Sequence, residues 1–447
     1  MKDMAGTSTE TTKEPRFGRV GLMVLGICWA TIIADGYDVV VFGAVIPSLL
    51  QEDGWGLTPA SAGVIGSYAL IGMFIGSMTI GSVTDRFGRR PILILCVTWF
   101  SIFTALCSLA RSPETFGFFR LLAGLGLGGV LPTASALVAE YSPPRARKLA
   151  YALLFTGFPI GGILAALTGL AVIPSSGWRP MFMVALLPMI LIIPVALRFL
   201  PESIAFLLAR GRRSDAVLVA DRHDIELPAD VTQSENLFDK PAASGALAEL
   251  LSRRYVFATL CFCSTSFLCL FMIYGLNTWL PQIMREAGYS LGSALSFLLV
   301  FNVGAIIGTV LIATTADRLG SKLVIVATFT LASVAVALLS LDLPTVALYG
   351  LVALGGTGVI ATQAFINAYV SQHYPMRMGG TALGWSLGVG RLGSIAAPPV
   401  LGLLLGSAVA LQWNFYVIAI AGVLGAAITV LVPPPPRESE AVCQSTQ

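Results

Sequence analysis

Charge is scarce in this chain of 447 residues: Asp, Glu, Lys and Arg make up 11%, against about 25% in a soluble globular domain. That deficit excludes an ordinary soluble enzyme. Histidine is scarcer still, with only His223 and His373, too few for the multi-histidine metal or haem centres that integral-membrane oxidoreductases need. Neither a metal site nor a cofactor is expected. The seven cysteines (Cys28, Cys96, Cys107, Cys261, Cys263, Cys269, Cys443) are odd in number, sit mostly in apolar runs and lack the paired spacing of a zinc or redox motif. They read as small core hydrophobes. A formal net charge of only +3 supplies no basic face, so nucleic acid is not an expected partner.

Apolar residues, by contrast, make up 56% of the chain, and the mean hydropathy is +0.83. Most of the chain therefore needs a lipid bilayer as its solvent. Segments of about 20 predominantly apolar residues, the length that crosses a bilayer, occur twelve times: 21–49, 60–83, 91–110, 116–140, 148–173, 180–199, 255–284, 291–315, 323–341, 345–371, 379–406 and 412–432. The first is too long and too late for a cleaved signal peptide. The fold class that follows is an all-α integral membrane protein in the inner (plasma) membrane. Placing the N-terminus inside puts 22 of the 27 Lys and Arg residues in inner segments, with only Arg111, Arg179 and Arg285 in outer loops and Arg120 and Arg391 within spans. Cytoplasmic loops retain such residues, so both termini are expected to be cytoplasmic. The one long hydrophilic stretch follows the sixth span. It gives a tail at 1–20, six spans at 21–199, a cytoplasmic linker at 200–253 with short amphipathic helices, six spans at 254–432 and a tail at 433–447 whose prolines favour an extended, disordered chain.

The two halves repeat one another. Asp85-Arg86-Phe87-Gly88-Arg89-Arg90 recurs at Asp317-Arg318-Leu319-Gly320-Ser321-Lys322 with an offset of 232, and at the same offset Gly124 and Gly126 fall on Gly356 and Gly358. Pro47 and Pro281, which end the first span of each half, are offset by 234. Agreement at three places indicates two homologous six-helix bundles.

Over nearly its whole length the sequence resembles the major facilitator superfamily. The signature loop Gly81-x-x-x-Asp85-Arg86-x-Gly88-Arg89-Arg90 carries most of the match, with Arg120-x-x-x-Gly124-x-Gly126-x-x-x-x-x-Pro132 and the Leu200-Pro201-Glu202-Ser203 of sugar-porter-like branches beside it. Asp35-Gly36-Tyr37-Asp38, Asn277-Thr278-Trp279-Leu280-Pro281 and Gly390-Arg391-Leu392-Gly393 resemble the aromatic acid:proton symporter family. The resemblance implies a proton-coupled importer of aromatic carboxylates such as benzoate or hydroxybenzoates, working by alternating access, with protons, the cargo and the bilayer as partners and a monomer as the unit.

Ionisable groups within spans cost about 2.5–3.5 kcal/mol each on insertion scales, so a function is expected to justify them. Asp35 and Asp38 are three residues apart and share one helix face, with Cβ atoms about 5–6 Å apart. Close carboxylates in a low dielectric resist ionising together, which makes one proton easy to hold and release. They are the expected proton carriers, the alternative being that they cap a break at Gly36. Arg120 needs an anion for company, and in proton-coupled relatives the matching arginine pairs with a first-helix acid, so protonation of that acid would release it. Arg391 lies roughly 20 Å along the eleventh span at 1.5 Å per residue, with no acid of the second half at its depth. A carboxylate cargo is its expected partner; Asp35, Asp38 or a gate role are the alternatives. Tyr37, Asn277, Trp279, Gln363 and Trp385 are read as the rings and amides around that cargo, with Tyr68, Tyr274, Phe365, Asn302 and Asn367 as further lining. Core packing is the competing reading for each ring. From the resemblance, Asp85, Arg86, Arg89, Arg90, Glu140 and Arg377 form a cytoplasmic gate, with Arg145 and Arg147 following Glu140.

Other functions fit less well. The fifth span has Phe158-Pro159-Ile160-Gly161-Gly162, an incomplete form of the Gly-Pro-x-x-Gly-Gly pattern of drug:proton antiporters. A symporter of a sugar would not explain Arg391, whereas one for another organic anion would. A membrane enzyme or sensor lacks any motif in the linker and any His or Cys cluster in the spans.

Overall fold

In lipid every backbone N–H and C=O must find an internal partner, so each long apolar run folds as a helix. The computed structural model describes residues 18–143, 146–223 and 248–434, and in them twelve helices are long and apolar enough to cross a membrane. In chain order these are α1 Arg19–Leu49, α2 Pro59–Phe87, α3 Arg89–Cys107, α4 Pro113–Tyr141, α5 Arg147–Ser176 and α6 Arg179–Phe199, then α7 Val256–Glu286, α8 Leu291–Leu319, α9 Ser321–Leu338, α10 Thr345–His373, α11 Met376–Leu405 and α12 Gln412–Leu431. α6 is interrupted between Met183 and Leu186. Two short helices, Ile204–Ala209 and Arg213–His223, begin the linker. Its remainder at 224–247 and the tail from 435 onward lie outside the described residues.

Local chemistry sets where the helices start. Thr58 and Ser61 form a capping box at the head of α2, with Pro59 at the first helical position, where its missing N–H costs nothing. At α4 Ser112 caps the helix by accepting from the Thr115 N–H, again with a proline, Pro113, at the first position. α3 and α9 both follow a glycine with positive φ, Gly88 at 100° and Gly320 at 80°, a backbone shape that residues with a Cβ avoid. These two glycines stand 232 residues apart, the offset of the sequence repeat.

The repeat also governs packing. A Cβ on Gly124 of α4 would strike the carbonyl of Ala69 in α2, and one on Gly356 of α10 would strike that of Phe301 in α8. All four residues obey the same offset. Absent side chains thus let helices approach backbone to backbone, as membrane packing requires. Outward faces remain apolar: Ile190 and Leu191 of α6 are each 62% exposed, a surface suited to lipid.

The two bundles, α1–α6 and α7–α12, touch backbone to backbone at the end that carries the α1–α2 loop. At the end carrying the α1–α2 loop, Gly43 lies against the backbone of Asn277 and Thr278, Gly63 against Pro398, Gly402 against Pro59, and Gly162 against the Asn302 amide. Toward the opposite end a Cβ on Gly81, Gly379, Gly380, Gly384 or Gly388 would meet nothing within 4 Å. A methyl at Gly43 has no room, since a carbonyl is already in its place, and overpacking of this kind costs about 1–3 kcal/mol. Gly43→Ala is therefore expected to raise alkylation of a reporter cysteine at Ala62, in a cysteine-free background, about fivefold or more. Gly26→Ala, which meets nothing within 4 Å, is the control, and an unchanged rate in Gly43→Ala would remove this contact from the closure.

Candidate functional site

A buried ion pair anchors the site. Asp38 of α1 and Arg120 of α4, with side chains 1% and 2% exposed, meet through Arg120 Nη1, which donates to Asp38 Oδ2 at 2.8 Å. Nη2 donates to the Asp38 carbonyl at 3.2 Å. The other carboxylate oxygen, Oδ1, accepts from Thr104 Oγ1 of α3 at 2.5 Å, so each oxygen of Asp38 has a donor. The ring of Phe42 lies 5.8 Å from the guanidinium carbon. Sequence reasoning missed Thr104, one of three hydroxyls in α3 with Thr98 and Ser101.

One turn earlier on α1, Asp35 is also buried, yet its Oδ1 has no hydrogen-bond partner. The cation that acts on it is Arg391, which reaches over from α11 in the other bundle. Arg391 Nη1 lies 3.9 Å from Met73 Sδ of α2, and its guanidinium interacts with the Tyr274 hydroxyl of α7. Among the described residues no carboxylate comes within 4.0 Å of Arg391. Phe158 of α5 stands opposite Tyr274 with ring centroids 6.4 Å apart, so the ring that touches this cation is itself faced by a ring from the other bundle. Phe158 entered the sequence reading only through its glycine-rich motif.

The other expected binding residues divide into two groups. Asn277 Nδ2 donates to the Ile273 carbonyl, and its Oδ1 faces Asn302 Nδ2 at 3.5 Å. Gln363 Nε2 donates to Asn367 Oδ1 at 3.0 Å and leaves its buried Oε1 unpartnered. Asn302 Oδ1 is likewise buried without a partner, so the unused acceptors of this group are those of Gln363 and Asn302. The rings depart from expectation. Tyr37 points its hydroxyl at the Met181 carbonyl (2.9 Å) and at Thr168 (3.2 Å), binding α1 to α6 and α5. Trp279 is fully buried, with Nε1 donating to the Pro398 carbonyl at 2.9 Å, and ties α7 to α11. Trp385 is 45% exposed, as is Leu392. Six residues along a helix is about 120° of rotation, so Trp385 faces away from Arg391. Hydropathy marks a ring as apolar without saying which side of its helix it occupies.

The family model of the Major Facilitator Superfamily matches residues 28–398. The chain belongs to the major facilitator superfamily. Superfamily members are membrane transporters, so the chain is a transporter and not an enzyme, a multi-pass protein of the inner membrane in a bacterium. It is 39% identical over 426 residues to the gentisate transporter of Corynebacterium glutamicum, covering 92% of this chain and 90% of that one. It is 35% identical over 411 residues to the benzoate transport protein of Acinetobacter baylyi, covering 90% and 87%. Membership among the superfamily's aromatic acid transporters, expected from the segments around Asp35, Asn277 and Arg391, holds. In fold it is similar to a partially occluded, inward open conformation of the xylose transporter XylE from E. coli, with a TM-score of 0.74 at 17% identity over 93% of this chain and 100% of that chain.

The superfamily's signature loop is clamped by groups from its own bundle and the linker. Arg89 Nη1 forms an ion pair with Glu140 Oε1, which also accepts from Ser203 Oγ at 3.0 Å. Glu202 Oε1 accepts the backbone N–H groups of Arg89 (2.9 Å), Arg90 (3.1 Å) and Ser203 (2.8 Å), placing a carboxylate where the first turn of α3 is electropositive. Tyr141 Oη donates to the Glu202 carbonyl, Arg90 Nη2 to that of Leu197, and Arg210 Nη2 to that of Arg86. The Arg86 guanidinium lies over Phe87, 5.6 Å from its centroid. Glu202 and Ser203 belong to this cluster, although the sequence motif that contains them pointed only to a branch of the superfamily. The side chains of Asp85, Arg377 and Arg145 lie outside the described residues.

Proposed function

We propose that this transporter is a proton-coupled symporter that imports aromatic carboxylates such as benzoate or hydroxybenzoates by alternating access. Arg391 carries the reading. It is a cation at the junction of the bundles with no carboxylate of the described chain within 4.0 Å, and Tyr274, faced by the ring of Phe158, stands beside it. A guanidinium matches a carboxylate with two parallel hydrogen bonds, and the rings match the aromatic body of the cargo. The free acceptors of Gln363 and Asn302 suit ring hydroxyls. The Asp35 and Asp38 pair supplies the proton site, with the proton as the only coupling agent and no cofactor. When a proton neutralises Asp35, Arg391 loses its nearest negative charge and becomes available to the cargo. Proton and anion are thereby taken up together.

The charge distribution supports both termini in the cytoplasm, which makes the end bearing the α1–α2 loop the outer one. The clamped signature loop is then the inner gate, with Arg89 and Glu140 at its centre. The working unit is a monomer. Uptake of labelled benzoate and 4-hydroxybenzoate by proteoliposomes under an inward proton gradient tests the proposal, with glucose as the control. Accumulation of either acid that collapses with a protonophore is expected. Uptake that survives the protonophore would overturn proton coupling, and uptake of neither acid by folded protein would overturn the cargo.

A further inference from the structure

We propose that Thr104 is a positioning residue that holds Asp38 in its ionised form, leaving Asp35 as the single proton carrier of the pair. The inference rests on the reading above that this pair couples transport to protons. A carboxylate has two oxygens, and both of those on Asp38 already face donors: Arg120 Nη1 at 2.8 Å and Thr104 Oγ1 at 2.5 Å. A proton on Asp38 would have to point at one of them. On the Arg120 side it would oppose an N–H and cancel a buried ion pair, and removing one partner of such a pair leaves an uncompensated charge. On the Thr104 side it would force the hydroxyl to turn away and abandon a charge-assisted bond.

Asp35 has none of this support. Its Oδ1 is buried with no partner, and Arg391 is beyond ion-pairing distance. An unsupported buried charge is the one that a proton relieves most. The surrounding groups leave the contrast intact. Asp38 faces Arg120 from α4, Thr104 and the Cys107 thiol from α3, and Asp35 and Tyr37 from its own helix, while Asp35 faces Arg391 from α11 and Tyr274 from α7. The Cys107 thiol is directed at the carbonyls of Phe103 and Phe116. Residues 149–176 of α5 and 180–197 of α6 contain no charged side chain. Two acids three residues apart thus take separate tasks, one fixing Arg120 and the other exchanging a proton.

Infrared difference spectroscopy of the full-length protein in lipid tests this through the C=O stretch of buried protonated carboxyls, which needs no cargo. The wild type is expected to show one such band at neutral pH, absent in Asp35→Asn. Thr104→Val, which keeps shape and removes the hydroxyl, is expected to add a second band that disappears in the Thr104→Val, Asp38→Asn double variant. Proton-driven benzoate accumulation in Thr104→Val should fall about tenfold, the scale of one hydrogen bond to a charged group, and Thr104→Ser should restore both spectrum and uptake. A wild-type band that survives Asp35→Asn, or a Thr104→Val spectrum identical to the wild type, overturns the proposal. Asp35→Asn and Thr104→Val both keep the Asp38 and Arg120 side chains, so the test stands on these two even if the double variant does not fold. Failure of the wild type to move aromatic acids would instead count against the transport reading and leave the spectra to decide the assignment.

Discussion

Asp35→Asn is expected to bring benzoate accumulation in proteoliposomes down to equilibration, with no concentration above the outside level at any imposed proton gradient. The reason lies in what the amide mimics. Asparagine at this position resembles a permanently protonated Asp35, so Arg391 is always released to the cargo and the proton no longer has to arrive or leave. Binding and exchange should persist, because the site is neutralised and not dismantled. Counterflow of labelled against unlabelled benzoate therefore continues at a rate within about threefold of the wild type, a difference of less than 1 kcal/mol at 1.4 kcal/mol per factor of ten. Both measurements use the same vesicles. Loss of counterflow together with accumulation would mean that Asp35 supports binding or folding, and accumulation at the wild-type level would remove it from coupling altogether.

Arg391→Ala should act on the other side of the same exchange. Truncating one partner of a buried, hydrogen-bonded charge pair costs about 2–5 kcal/mol, which at 1.4 kcal/mol per factor of ten corresponds to a rise of about thirtyfold or more in the apparent substrate constant. Arg391→Lys keeps the charge but replaces a planar fork by a point donor, so it is expected to recover only part of the loss. The arginine also meets Met73 and Tyr274, and a purely packing role would make the two variants alike. Kinetics of benzoate uptake across a concentration series separate these cases. An unchanged substrate constant in Arg391→Ala would take the residue out of the binding site and leave the cargo without its charge partner.

The parts of this molecule legible in advance are those for which one-dimensional pattern and three-dimensional constraint coincide. Bilayer thickness fixes the length of a span, so twelve apolar runs become twelve helices with ends a few residues from the expected limits. The glycines at an offset of 232 become equivalent helix contacts, because a position without a side chain is where two backbones touch. Arg120 could be paired with a first-helix acid because charges are rare in spans and each must find company, while the choice of Asp38 over Asp35 came only with the structure. Direction around a helix is a different matter. Nothing in the residues near Trp385 says that it points away from Arg391, and Thr104 has no mark that separates it from Thr98, less than two turns earlier on the same apolar helix. Glu202 was visible as part of a motif, but its use as an acceptor for the first N–H groups of α3 depends on how the linker folds back. Side-chain orientation is settled by tertiary packing, and hydropathy does not encode it.

The two ends of the molecule are held by unlike forces. At the signature loop the clamp is ionic and partly exposed, with Arg89 and Glu140 at its centre, and mobile ions screen exposed charges over about 8–10 Å at ordinary salt. At the α1–α2 loop the bundles touch through Gly43, Gly63 and Gly402 against backbone, and among the described residues no ion pair joins one bundle to the other. Salt in the medium therefore loosens the ordering of the signature loop within its own bundle and leaves the contact between the bundles as tight as before, so ionic strength acts on the two ends of the molecule unequally.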